Sequence, residues 1–263
     1  MTTVQDILNF IETLAPLEYK MDWDHVGLSC GSLSAPVHKI LVALDPFEHV
    51  CREAKQVGAD LLVTHHALIW TPDFVNDLNQ QGRNTLFLIE NNIACINAHT
   101  NLDCAPGGVN DILAAKLGLR DIRVIQPRGT DAQGREWGLL RQGTTAKQSM
   151  QQFLSIVKTA LSCEGLRYCD CGKPVHRVTV GGGACASEME QAANAGCDTF
   201  VTADVKYNQF WDAKTLGINL IDAGHFHTEN PVCRYLTQKL REAFPEVTVT
   251  MSTKHTDCAK FFQ

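Results

Sequence analysis

The stretch that most constrains the fold runs from Lys39 to Val63. Lys39-Ile40-Leu41-Val42-Ala43-Leu44-Asp45 has the apolar run of a buried strand, and Pro46 stops it. A helix spans about Glu48 to Val57, with Gly58 as its stop, and Asp60-Leu61-Leu62-Val63 makes a second strand. A strand–helix–strand unit with connections this short calls for parallel strands joined by a right-handed crossover. The second strand delivers two adjacent histidines, His65 and His66. Neighbours on a regular strand face opposite ways, so both imidazoles serve one site only if the strand has already ended. The carboxyl ends of strands in open α/β sheets are where ligands usually bind.

The pattern recurs. Asn92 to Ala98 reads as a strand and leads into His99-Thr100-Asn101-Leu102-Asp103. Gly217 to Gly224 reads as another and delivers His225-Phe226-His227-Thr228-Glu229. Core packing has no reason to put ligating side chains at successive strand tips. The strand Asp198 to Asp204, after the helix Ser187–Ala195, also ends in an aspartate. Its start, Gly196-Cys197-Asp198-Thr199-Phe200-Val201-Thr202, echoes Gly58-Ala59-Asp60-Leu61-Leu62-Val63-Thr64. Thr3 caps a first helix over Val4 to Leu14, with Asp6 three residues on. Residues 120 to 138 turn polar and turn-rich, which predicts a domain boundary there. A helix over Ser149 to Leu161 and strands at Val175–Val180 and Val247–Met251 complete the outline.

The candidate ligands are therefore His65, His66, His99, Asp103, His225, His227 and Glu229. Imidazole with carboxylate suits zinc, iron, manganese, nickel or cobalt rather than calcium, which takes oxygen alone. One ion with an open position uses part of this set, and two ions use nearly all of it. A close ion pair can share a water and lower its pKa towards neutrality. His99 and His227 read equally as outer partners or proton carriers.

Eleven scattered cysteines, with no export signal ahead of them, read as reduced thiols of a cytosolic protein rather than a disulfide framework. Cys169-Asp170-Cys171 lacks the second pair that a structural zinc site needs. The net charge of −6 disfavours general affinity for nucleic acid, and no apolar run is long enough to span a membrane.

Several of these pieces together resemble the dinuclear-metal-centre family labelled GTP cyclohydrolase I type 2 homologue, or NIF-three-like. They are Trp23-Asp24 with Val26-Gly27-Leu28, Thr64-His65-His66, Ala98 to Asp103, Gly108-Val109-Asn110-Asp111, Gly181-Gly182-Gly183 and Ala223-Gly224-His225 through Glu229. They run nearly the whole chain in the family's order. The resemblance implies two α/β domains with mixed or mostly parallel sheets flanked by helices, a metal site in the interdomain cleft, and a ring-shaped homohexamer. The expected division is 1–126 plus 222–263 for the first domain and 127–221 for the second. By position, the implied ligands of two divalent ions are His65, His66, Asp103, His225 and Glu229, with Glu229 as the bridge. His99 aligns as a close neighbour, available as general acid or base, and His227 falls outside the ligand set. The implied activity is metal-dependent hydrolysis of a nucleotide or related heterocycle. The other role considered is a metal-binding scaffold or insertion factor without turnover. The chain departs from the family pattern at Ala67, at Ala203-Asp204 and at Asn208.

Overall fold

The computed structural model describes residues 1–70 and 74–262. The chain divides into two compact units, Met1–Leu102 with Val232–Thr256, and Asp103–Pro231 with Asp257–Gln263. Both are mixed α/β, each a sheet flanked by helices.

The first unit holds a five-stranded sheet in the order Gly27–Cys30, Ala94–Asn97, Leu61–Thr64, Lys39–Ala43 and Thr248–Met251. The last four are parallel, and Gly27–Cys30 runs antiparallel at the edge. The strand–helix–strand unit forms as its apolar pattern requires. Leu41, Leu62, Val50, Ala54, Leu88 and Cys95 pack in one core cluster. The opening helix Val4–Leu14 carries the expected capping box between Thr3 and Asp6, a feature worth about 1 kcal/mol. Ile7 and Ile11 are buried, each contributing about 1.5–3 kcal/mol by leaving water.

The second unit holds a six-stranded sheet in the order Arg120–Ile125, Leu140–Gln148, Val175–Val180, Thr199–Thr202, Asn219–Asp222 and Arg167–Cys169. Val175–Val180, Thr199–Thr202 and Asn219–Asp222 are parallel to one another, and the remaining pairings are antiparallel. Phe153 and Phe200 belong to two separate core clusters of this unit.

The division differs from the expected one at 126 and 222. Arg120–Ile125 is a strand paired with Leu140–Gln148, which places the segment after Asp103 in the second unit. A buried arginine also ties that segment down. The guanidinium of Arg141 donates to both oxygens of Asp111 and to the carbonyls of Cys104, Ala105 and Gly138. Every direction of its fork is used, which is what a buried charge requires.

The sequence echo is structural. Gly58 and Gly196 close their helices with φ near 69° and 73°. The following aspartates then accept from the start of the neighbouring strand: Asp60 from the backbone N–H groups of His38 and Lys39, Asp198 from those of His176 and Arg177. None of the eleven cysteines forms a disulfide, and seven are buried. Among the described residues no helix is long and apolar enough to cross a membrane.

Candidate metal centre

In the first unit, adjacent parallel strands end in Asp45, His65 with His66, and His99. The strand Leu61–Thr64 stops before the histidine pair, as both imidazoles sharing a site demands. A bend follows, fixed by the His66 N–H donating to the Leu44 carbonyl and the Thr64 hydroxyl donating to the His66 carbonyl. His65, His66 and His99 are buried, and one nitrogen of each lies within 4.8 Å of the others.

Their tautomers are set by what holds Nδ1. His65 Nδ1 lies 2.8 Å from the Ala98 carbonyl, which can only accept. His66 Nδ1 donates to Asp45 at 2.6 Å, and His99 Nδ1 to Asp24 at 3.0 Å. With Nδ1 protonated in each neutral ring, the lone pair sits on Nε2, the form that binds a metal. Asp45 is itself held from its other oxygen by His255 Nε2 at 3.0 Å. Asp24 also accepts from the Thr100 backbone N–H and hydroxyl.

Burial alone would raise the pKa of Asp24 and Asp45. Hydrogen bonds from His99 and Thr100 to the first, and from His255 and His66 to the second, hold both carboxyls well below the usual range. A folded pKa below the unfolded one stabilises the fold above about pH 3.9 and is lost as pH falls through the folded value. Chelator-treated protein is therefore expected to lose stability progressively as pH drops from about 5 to about 1. Asp24→Asn should flatten that slope. Melting temperatures across the range check it, and an unchanged slope in the variant counts against the account.

In the second unit, adjacent parallel strands end in Gly181-Gly182-Gly183, Asp204 and, after a turn through Gly224, His225. The short helix His225–Glu229 puts its first and last residues four apart, on one face. His225 Nε2 lies 2.9 Å from Glu229 Oε2, and its Nδ1 donates to Asp204 at 2.7 Å. Burial would lower the His225 pKa, yet hydrogen bonds to Asp204 and Glu229 push it up to about 11. The two carboxylates thus favour positive charge at this imidazole. A carboxylate oxygen of Asp103 lies within 4.8 Å of one of Glu229, and both residues are buried. Two carboxylates this close favour a neighbouring positive charge.

The glycine run is shaped around Glu229. A Cβ on Gly183 would lie 2.1 Å from Glu229 Oε1 and 3.0 Å from His225 Nε2, and its φ is +63°. Gly183 N–H donates to Thr228 Oγ1, and Gly182 N–H donates to Asn110 Oδ1. The Asn110 amide then donates to the Asp103 and Leu139 carbonyls. Asn110 so fixes the backbone at Asp103 and the loop against Glu229.

The structure thus places His65 and His66 beside His99 in the first unit, and Asp103 and His225 beside Glu229 in the second. His227 is engaged elsewhere, with Nδ1 donating to the Leu161 carbonyl and Nε2 3.2 Å from Asp257. Asp24, Asp45, Asp204, His255, Asn110 and Gly183 pack against or hold these side chains, and the spacing of histidines and acids in the sequence does not single them out.

The sequence profile of the Duf34/NIF3 (NGG1p interacting factor 3) family matches residues 2–258. A GTP cyclohydrolase 1 type 2 homolog of Clostridium perfringens is 34% identical over 242 residues, 91% of each chain. One from Clostridium acetobutylicum is 33% identical over 247 residues, 91% of this chain and 90% of that one. The crystal structure of a Bacillus cereus protein related to NIF3 superposes with a TM-score of 0.92 at 25% identity, covering 100% of this chain and 99% of that one.

Proposed function

The chain belongs to the Duf34/NIF3 family, and from that premise we propose that it is a two-metal hydrolase acting on a nucleotide or related heterocycle. The relatives' name points to ring opening of the GTP cyclohydrolase type. The ions are held by His65, His66, Asp103, His225 and Glu229. The observation that carries the reading is the anchoring of Nδ1 on His65 and His66, which makes Nε2 the metal-binding nitrogen of each.

Donor chemistry supports metal binding by the side chains of each unit. The first unit offers imidazoles, while the second offers two carboxylates and one imidazole. Imidazole with carboxylate suits zinc, iron, manganese, nickel or cobalt. When bound, a pair of such ions supplies Lewis-acid polarisation and brings the pKa of a water towards neutrality. Asp45 and Asp204 keep His66 and His225 turned towards the ions. His99 is the proton-carrying residue, with Asp24 fixing its Nδ1 so that Nε2 takes or gives the proton. Asp103 and Glu229 supply the negative charge.

Protein purified without chelator and loaded with each candidate metal is tested on a nucleotide panel, with ring opening read as loss of the purine absorbance. GTP or a close relative is expected to react. His66→Ala should lose more than about 100-fold, beyond what removal of an outer partner alone costs. A metal-replete protein that turns over no nucleotide overturns the hydrolase and leaves a metal-holding scaffold.

A further inference from the structure

Two tryptophans stand at the imidazole cluster. Trp23 is 63% exposed and Trp70 46% exposed. Trp70 lies 4.9 Å from His99 between ring centroids, at 82°, and 6.1 Å from His66. Trp23 lies 5.9 Å from His99, at 69°. One residue precedes the edge strand Gly27–Cys30 and the other follows the histidine pair, so separate loops bring both indoles to one imidazole.

Core packing does not account for them, since each leaves about half or more of its surface in water. His25 and Ile69, chain neighbours of the two tryptophans, join Ser29 and Asn97 in lining a cavity of about 210 Å³ whose lining does not include either indole or His99. That is smaller than the roughly 300–1,000 Å³ enclosing a drug-sized ligand, so it suits a ring rather than a whole nucleotide. Its polar edge is already ordered. Ser29 donates to Asn97 Oδ1 at 3.0 Å, and the Asn97 amide donates to the His25 carbonyl at 2.9 Å.

We infer that Trp23 and Trp70 are the stacking surface for the planar heteroaromatic ring of the ligand, with His99 beneath it. This rests on the proposed nucleotide-type substrate. Indole offers a broad, rigid and polarisable face at little entropic cost. Stacking tolerates any base, so the indoles contribute affinity rather than selectivity.

The test is equilibrium binding to the metal-loaded full chain, with GTP as one probe and inorganic tripolyphosphate as the other. Trp70→Ala and Trp23→Ala are each expected to weaken GTP binding about tenfold, within the roughly 5–150-fold that loss of a stacking partner brings. Tripolyphosphate binding and metal content should stay as in the parent, and Trp70→Phe should recover most of the GTP affinity. GTP bound equally well by the alanine variants overturns the inference. So does an equal loss for tripolyphosphate, an absence of GTP binding in the parent, or a change in oligomeric mass in place of a change in affinity. GTP bound through the tryptophans but never opened leaves the inference standing and removes the hydrolase. Ring opening with unaltered binding in both variants does the reverse.

Discussion

Glu229→Gln is expected to strip both ions from the protein and leave the fold intact. Glutamine has nearly the volume of glutamate, so the buried position stays filled and no cavity opens. What changes is charge. Glu229 reaches His225 Nε2 at 2.9 Å and has Asp103 close by, and it is the proposed bridge. A neutral amide cannot bridge two cations in its place. Elemental analysis should fall from about two ions per chain to less than one, with affinity down by more than the roughly 100-fold ascribed to outer partners. Chelator-treated variant should melt somewhat below chelator-treated parent at neutral pH, since the His225–Glu229 contact is weakened, yet still unfold in one cooperative transition. Retention of both ions by Glu229→Gln would show that its carboxylate holds neither, and its place among the proposed ligands would be withdrawn.

Gly183→Ala is the second large effect, although the residue binds nothing itself. Its φ of +63° already penalises a side chain by about 1–3 kcal/mol. The added Cβ would also sit 2.1 Å from Glu229 Oε1, so the carboxylate or the loop must move. Metal content should fall as it does in Glu229→Gln, with a lower urea midpoint besides. Gly196→Ala is the control. Its φ is +73°, but the nearest atom to its Cβ is Arg177 Nη1 at 3.6 Å, so it should carry the backbone cost and keep its metal. Full metal occupancy in Gly183→Ala would show that the loop yields and does not shape the site.

The parallel strands and their histidine tips were legible because apolar runs and glycine stops punctuate them. Arg120–Ile125 and Leu140–Gln148 were not, for a physical reason. The first is an edge strand with its charged side chains in water. The second buries Arg141 and Gln142, where a hydrophobic pattern would place apolar residues. Tertiary hydrogen bonds to Asp111 and the carbonyls after Asp103 make that burial tolerable, and no local pattern reveals them. The candidate ligands announced themselves by residue type, whereas the residues that hold them did not. Asp45 and Asp204 were visible as strand-ending aspartates, yet their role depends on histidines 21 residues further along the chain in both cases. A signal was available, since a ligating imidazole needs an acceptor for its other nitrogen. Asn110 and Gly183 stand in quoted motifs, but their work is visible only once Asp103 and Glu229 have positions.

The link from His66 through Asp45 to His255 has a consequence for how this protein comes off the ribosome. His255 follows His66 by about 190 residues, and Thr248–Met251, the strand beside Lys39–Ala43, arrives almost as late. At 5–20 residues per second, the histidine pair is therefore made about 10–40 s before the groups that lock it. Through that interval the nascent chain carries exposed imidazoles and an unfinished sheet edge. On the proposed two-ion reading, metal met then would find only a partial set of donors, and loading would belong to the finished polypeptide.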